Sequence, residues 1–114
     1  MLVYIIEDDT AVSDALSVLL EELGHQTVCF DSGEAFLAAA RPKDGDMVLI
    51  DLGLPGIGGE EVVSQLETEG CPARIIVISG RSRTMIERSL PSGRQGVVIL
   101  RKPLFLPALA AYLN

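Results

Sequence analysis

Four short apolar runs in this chain are each followed at once by a polar group. The acidic run Glu7-Asp8-Asp9 follows residues 2–6, Asp51 follows 47–50, Ser79 and Gly80 follow 75–78, and Arg101, Lys102 and Pro103 follow 97–100. Carboxylates brought to neighbouring positions raise one another's pKa unless a cation compensates, so an arrangement that gathers them implies a divalent ion. Oxygen donors without Cys or His select a hard cation, and the one that commonly shares its shell with phosphate is Mg2+. Lys102 supplies a compact positive charge suited to a phosphoryl oxygen, and the Ser79 hydroxyl can donate to another. Taken singly each residue has an ordinary reading: Glu7–Asp9 as solvated acids near a helix N-terminus, Ser79 as a cap, Lys102 as a surface charge.

What decides between the two readings is whether the fold brings these residues to one place. The four runs are rich in Val and Ile and read as strands buried on both faces, the habit of parallel sheets, with a weaker fifth strand at 26–30 on an edge. Between the first runs, Val12, Ala15, Leu16, Leu19, Leu20 and Leu23 recur at helical spacing, with Thr10 placed to cap the start and Gly24 to end it. Asp31 and Glu34 resemble a capping box opening a second helix through Ala40, and 60–69 forms a third, closed by Gly70. Strand and helix therefore alternate through five βα units, which gives a parallel sheet with helices on both faces. In such sheets ligands sit beyond the carboxyl ends of the strands, where strand order reverses, so all four polar tips fall on one rim. Pro91, Ser92 and Gly93 interrupt the fourth helical region, which predicts a short helix over 82–90 and then an irregular loop.

Composition narrows the function classes. A chain of 114 residues predicts one domain spanning 1–114. With 48% hydrophobic but only 4% aromatic residues, its core must be aliphatic. A net charge of −7 argues against direct nucleic-acid binding by this domain, because a phosphate backbone is gripped by clustered Lys and Arg. No apolar run approaches the roughly 18 residues of a membrane span, and residues 1–6 lead into acids without the pattern of a signal peptide, so a cytoplasmic protein with no membrane partner is expected. Cys29 and Cys71 form no CxxC pair and read as two half-buried thiols; His25 stands alone and reads as a surface turn residue.

The stretches Ile5-Ile6-Glu7-Asp8-Asp9, Ile50-Asp51-Leu52-Gly53-Leu54-Pro55-Gly56-Ile57-Gly58-Gly59, Ile78-Ser79-Gly80 and Arg101-Lys102-Pro103 together resemble the signature of response-regulator receiver domains, in order and in spacing, over nearly the whole chain. The resemblance implies a flavodoxin-like (βα)5 doubly wound five-stranded parallel sheet with strand order 2-1-3-4-5. It implies Asp51 as phosphoacceptor and Mg2+ held by Asp8 directly, Glu7 through water, Asp51, and the backbone carbonyl of Gly53. Asp9 falls outside the acidic pair. Ser79 matches the switch hydroxyl, Lys102 the phosphate-contacting lysine, and the Lys102–Pro103 bond the cis peptide that aims it, while Pro55 and the glycines at 56, 58 and 59 match the loop that turns the chain away from the site.

Three features depart from the family pattern: Ile99 stands where an aromatic residue usually couples to the switch hydroxyl, 91–93 breaks the fourth helix, and the last helix, from about 107 to 114, is short. The expected function is that of a two-component or phosphorelay phosphoacceptor, a signalling domain and not an enzyme acting on a separate substrate. Its donor is expected to be a histidine kinase or histidine phosphotransfer protein, and its output partner a second copy, an effector domain or an effector protein. Changed order over 81–96 is the expected switching mode. One rival reading is a phosphorylation-independent interaction module with the same fold. Another is a Mg2+-dependent phosphatase with an aspartyl nucleophile, against which Gly53 stands where a second Asp would serve as general acid.

Overall fold

The structure is a computed structural model, and it describes residues 1–80, 97–102 and 106–111. Its elements are β1 (Leu2–Ile6), α1 (Thr10–Glu22), β2 (Gln26–Phe30), α2 (Gly33–Ala39), β3 (Met47–Asp51), α3 (Gly59–Thr68), β4 (Arg74–Ser79), β5 (Val97–Arg101) and, here called α4, Leu106–Ala110. The strands pair in parallel in the order β2-β1-β3-β4-β5, as expected, with β2 on one edge.

Successive side chains of a strand point to opposite faces, so continuous aliphatic runs create two cores at once. On one face Val3, Ile5, Met47, Leu49, Ile76 and Ile78 meet Leu16 and Leu20 of α1 and Leu109 of α4. On the other, Tyr4, Ile6, Val48, Ile50, Ile75 and Val77 meet Phe36 of α2 and Val62, Val63 and Leu66 of α3. Every residue of β3 is buried, which makes it the central strand. Three aromatics gather on the second face: Phe36 is fully buried and set edge-on to Tyr4 and Phe30, with ring centroids 5.8 and 5.6 Å away.

The structure moves several predicted boundaries. Ser79 and Arg101 lie within strands instead of just after them, because the β4–β5 ladder runs on to pair Ser79 with Arg101. Helix α1 is capped by Asp9 and not by Thr10: the Asp9 carboxylate accepts from the amides of Ala11 and Val12, and Thr10 is already helical. Helix α2 is capped by Ser32, whose hydroxyl accepts from the Ala35 amide, so Asp31 and Glu34 form no box. Helix α3 begins one residue earlier than predicted, with Gly58 as its cap, and Gly24 and Gly70 close α1 and α3 at φ of 90° and 68°, a conformation open to glycine at little cost. Cys29 is exposed and Cys71 half-buried, both as free thiols. The expected helix at 82–90, the 91–93 break, the 81–96 switch segment, Pro103 with its peptide bond, and the end of the last helix lie outside the described residues. Among the described residues no helix is long and apolar enough to cross a membrane.

Because Phe36 fills the junction of α2 with the sheet, Phe36→Ala should cost about 3–5 kcal/mol, the range for deleting a buried aromatic ring. Urea unfolding followed by far-UV circular dichroism measures it, and a loss below about 1 kcal/mol would mean that the site collapses to fill the cavity.

Candidate functional site

Two strand ends, Asp51 and Ser79, and the residues that directly follow two others, Glu7 and Lys102, build the site. Register places Ile6 beside Ile50 across β1 and β3, so Glu7 and Asp51, the next residues, emerge together. Asp51 pairs with Ile78 across β3 and β4, which sets Ser79 beyond it, and Lys102 follows directly on the Ser79–Arg101 pair. Three backbone bonds tie these ends down: the Glu7 amide to the Phe30 carbonyl (3.0 Å), the Leu52 amide to the Ile78 carbonyl (3.0 Å) and the Lys102 amide to the Ser79 carbonyl (2.8 Å).

Within this frame Glu7, Asp8 and Asp51 each offer a carboxylate oxygen, all within 4.8 Å of one another. Asp51 is 6% exposed. Its Oδ1 accepts from the Gly53 amide at 3.0 Å, and its Oδ2 faces Lys102 Nζ at 3.3 Å. Glu7 is also buried; its Oε1 accepts from the Asp9 amide at 3.1 Å. Glu7 Oε2 lies 3.4 Å from Lys102 Nζ, an ion pair too long to be a good hydrogen bond, and among the described residues has no other donor. Ser79 is buried, whereas Asp8 is exposed.

The charges do not balance among these groups. Burial pushes the Glu7 carboxyl above its ordinary pKa and the charge of Asp51 adds to this, while the Asp9 amide and Lys102 pull it back in part. Burial alone would lower the Lys102 ammonium, but the carboxylates of Asp51 and Glu7 outweigh it and raise its pKa. Among the described residues, three clustered carboxylates have one lysine beside them, and a buried carboxylate oxygen lacks a hydrogen-bond donor. A hard divalent cation fits that donor set, which holds neither nitrogen nor sulfur.

A scan against family models matches residues 3–114 to the response regulator receiver domain. The chain belongs to the response regulator receiver family. Among curated relatives, the tetrathionate response regulatory protein TtrR of Salmonella typhimurium is 30% identical over 113 residues, covering 98% of this chain and 54% of that protein. The virulence-factor transcription regulator BvgA of Bordetella pertussis is 35% identical over 98 residues, covering 84% of this chain and 47% of that protein. This receiver thus spans about half the length of the curated relatives it matches. A solved CheY-like receiver domain from Methanospirillum hungatei, at 21% identity, has the same fold, with a TM-score of 0.84 over 98% of this chain and 89% of that one.

Of the residues singled out in the sequence, Glu7, Asp8, Asp51 and Lys102 are brought into one cluster, and Ser79 and Gly53 adjoin it through backbone bonds. Ile99 is half-buried and packs with Ile75 and Val77 on the α2–α3 face. Gly59 was expected only to help turn the loop, yet it has a sharper role. A methyl group on Gly59 would stand 2.6 Å from the Asp51 carbonyl oxygen and 2.8 Å from Leu52 Cα, so only a bare backbone lets α3 start against the end of β3. The sequence carried no signal for this contact, since the helical pattern there begins at Glu60.

Gly59→Ala should therefore cost about 1–3 kcal/mol, as overpacking does in a filled interior. Gly53→Ala, whose methyl would sit 3.6 Å from Asp51 Oδ1 in ordinary contact, is the control and should cost clearly less. Equal stability of the two variants in chemical denaturation would show that α3 can shift away from β3 at little cost.

Proposed function

We propose that Asp51 of this receiver accepts a phosphoryl group from a phosphohistidine on a kinase or phosphotransfer protein, that Asp8, Asp51, the Gly53 carbonyl and, through water, Glu7 hold the Mg2+ this needs, and that residues 1–114 act as one unit in the cytoplasm. The observation that carries this reading is the state of the Asp51 carboxylate: one oxygen is fixed by the Gly53 amide, and the other is turned toward Lys102 beside two further carboxylates.

Phosphoryl transfer passes through a loose transition state, so a protein contributes mainly by positioning and charge stabilisation. An Asp51 oxygen attacks phosphorus as the P–N bond of the donor breaks, and the electron pair leaves on the imidazole nitrogen. Bound Mg2+ supplies positive charge to the phosphoryl oxygens. Lys102 keeps its proton, held on by the two acids, and so remains a cation that can turn from Asp51 Oδ2 to a phosphoryl oxygen. Ser79 donates its hydroxyl to another oxygen of the acyl phosphate, and its carbonyl, already bonded to the Lys102 amide, links that movement to the end of β5. An altered surface then reads out the phosphorylated state, through a second copy or an effector as the partner.

Incubation of the chain with acetyl phosphate and Mg2+ should add one phosphoryl group by intact mass, and Asp51→Asn should abolish it. Labelling of Asp51→Asn at the wild-type level overturns the assignment. Mg2+ titration should rank the acids, with Asp8→Ala weakening binding more than Glu7→Ala, since loss of an outer-sphere partner costs on the order of tenfold while loss of a direct ligand costs more. The reverse order would exchange the roles of the two residues.

A further inference from the structure

Asp9 lies outside the carboxylate cluster, yet its amide, its carbonyl and one carboxylate oxygen are all committed. Its Oδ1 accepts from the Ala11 amide at 3.0 Å and the Val12 amide at 3.4 Å. Its carbonyl accepts from the Ser13 amide at 3.0 Å, the first turn of α1. Its own amide is given to Glu7 Oε1 at 3.1 Å. Helix α1 is in turn anchored by the buried Leu16 and Leu20, so the backbone of Asp9 is held at a helix end that the core does not allow to drift.

Glu7 needs such a hold. Its side chain has three rotatable bonds, it is buried, and Lys102 lies near its carboxylate, 3.4 Å from Oε2. Pinning Oε1 on a backbone amide leaves Oε2 as the oxygen that faces the space shared with Asp51 and Lys102. We infer that Asp9 is a positioning residue for the metal pocket: by capping α1 it fixes its own amide against Glu7 Oε1 and so aims Glu7 Oε2 into the pocket. The inference rests on the Mg2+ reading of the cluster, and it assigns to Asp9 a role that needs its acceptor oxygen and not its charge.

Four single-residue variants of the full chain separate these possibilities. Asp9→Ala removes the cap, Asp9→Asn keeps an acceptor without the charge, and Asp9→Gly removes the side chain where the backbone alone still tolerates the cap geometry. Ser32→Ala deletes the equivalent cap of α2, far from Glu7 in the chain. Mg2+ affinity by isothermal titration calorimetry should fall about threefold to tenfold in Asp9→Ala and Asp9→Gly, at or below the low end for loss of an outer-sphere partner. Asp9→Asn should keep wild-type affinity, and Ser32→Ala should lower the Tm while leaving Mg2+ affinity unchanged. In the metal-free chain the Asp9 amide should exchange slowly in wild type and Asp9→Asn and faster in Asp9→Ala.

Wild-type affinity in both Asp9→Ala and Asp9→Gly overturns the inference, and so does an Asp9→Asn variant as weak as Asp9→Ala, which would make the carboxylate charge the cause. Equal weakening by Ser32→Ala would reduce the effect to general loosening and overturn it too. A wild-type chain that bound no Mg2+ would instead overturn the metal reading on which the role of Asp9 depends.

Discussion

Three carboxylates whose oxygens lie within 4.8 Å of one another repel, and nothing about the acids themselves keeps them there. The sheet does. Asp51 ends a strand buried on both faces and laddered to β1 and β4, so it cannot swing into solvent without breaking the centre of the molecule. Glu7 is tied through its own amide to the end of β2, and Lys102 through its amide to the end of β4. The favourable energy comes from elsewhere, from two aliphatic layers that bury each side of the strands, and it is large enough to hold a local arrangement that is unfavourable alone.

Close backbone contact extends the same constraint to the loops. Gly59 lets α3 begin against the carbonyl of Asp51, and Gly33 lets α2 begin against Ile57 and Val62, where a methyl group would meet both side chains. The loop after β3 is thereby held between two helix starts. Its glycine at 56 adopts φ of 72° beside Glu34, a conformation that other residues take at a cost. Strand, loop and helix starts together leave the Asp51 carboxylate with few ways to move, which suits the nucleophile's role proposed for it.

Aliphatic runs made the strands legible in the sequence, and because residue types alternate between faces without a polar break, the two cores came with them. The edge strand at 26–30 was legible despite its exposure, since Thr27, Val28, Cys29 and Phe30 all favour extended backbone. The caps were not. Asp9 and Thr10 are both good caps, as are Asp31 and Ser32, and local preference cannot choose between neighbours of nearly equal propensity. The choice fell to tertiary geometry: with Asp9 as cap, the preceding residues carry Glu7 over the strand end and its carboxylate back onto the Asp9 amide. Gly59 was hidden for a different reason, because a close approach between the start of a helix and the end of the preceding strand leaves no periodic trace.

Burial is graded across the site, and the gradient has a consequence for how a donor reaches it. Glu7, Asp51 and Ser79 are buried, whereas Asp8 is exposed and the side chain of Lys102 is 33% exposed. The open side of the pocket therefore lies toward Asp8 and Lys102. The phosphoryl donor proposed for Asp51 would be an anion approaching a chain of net charge −7. Salt screens that repulsion beyond about 8 Å at physiological ionic strength, and within that range Lys102 offers attraction at the opening. A small anionic donor gains little from such a field, while a protein donor can set basic residues against the acidic surface and carry its phosphoryl group in on a complementary face. On the proposed reading of Asp51 as acceptor, the charge balance of the chain would favour transfer from a protein over transfer from a free phosphate compound, through the rate of encounter and before any contact with Asp51 is made.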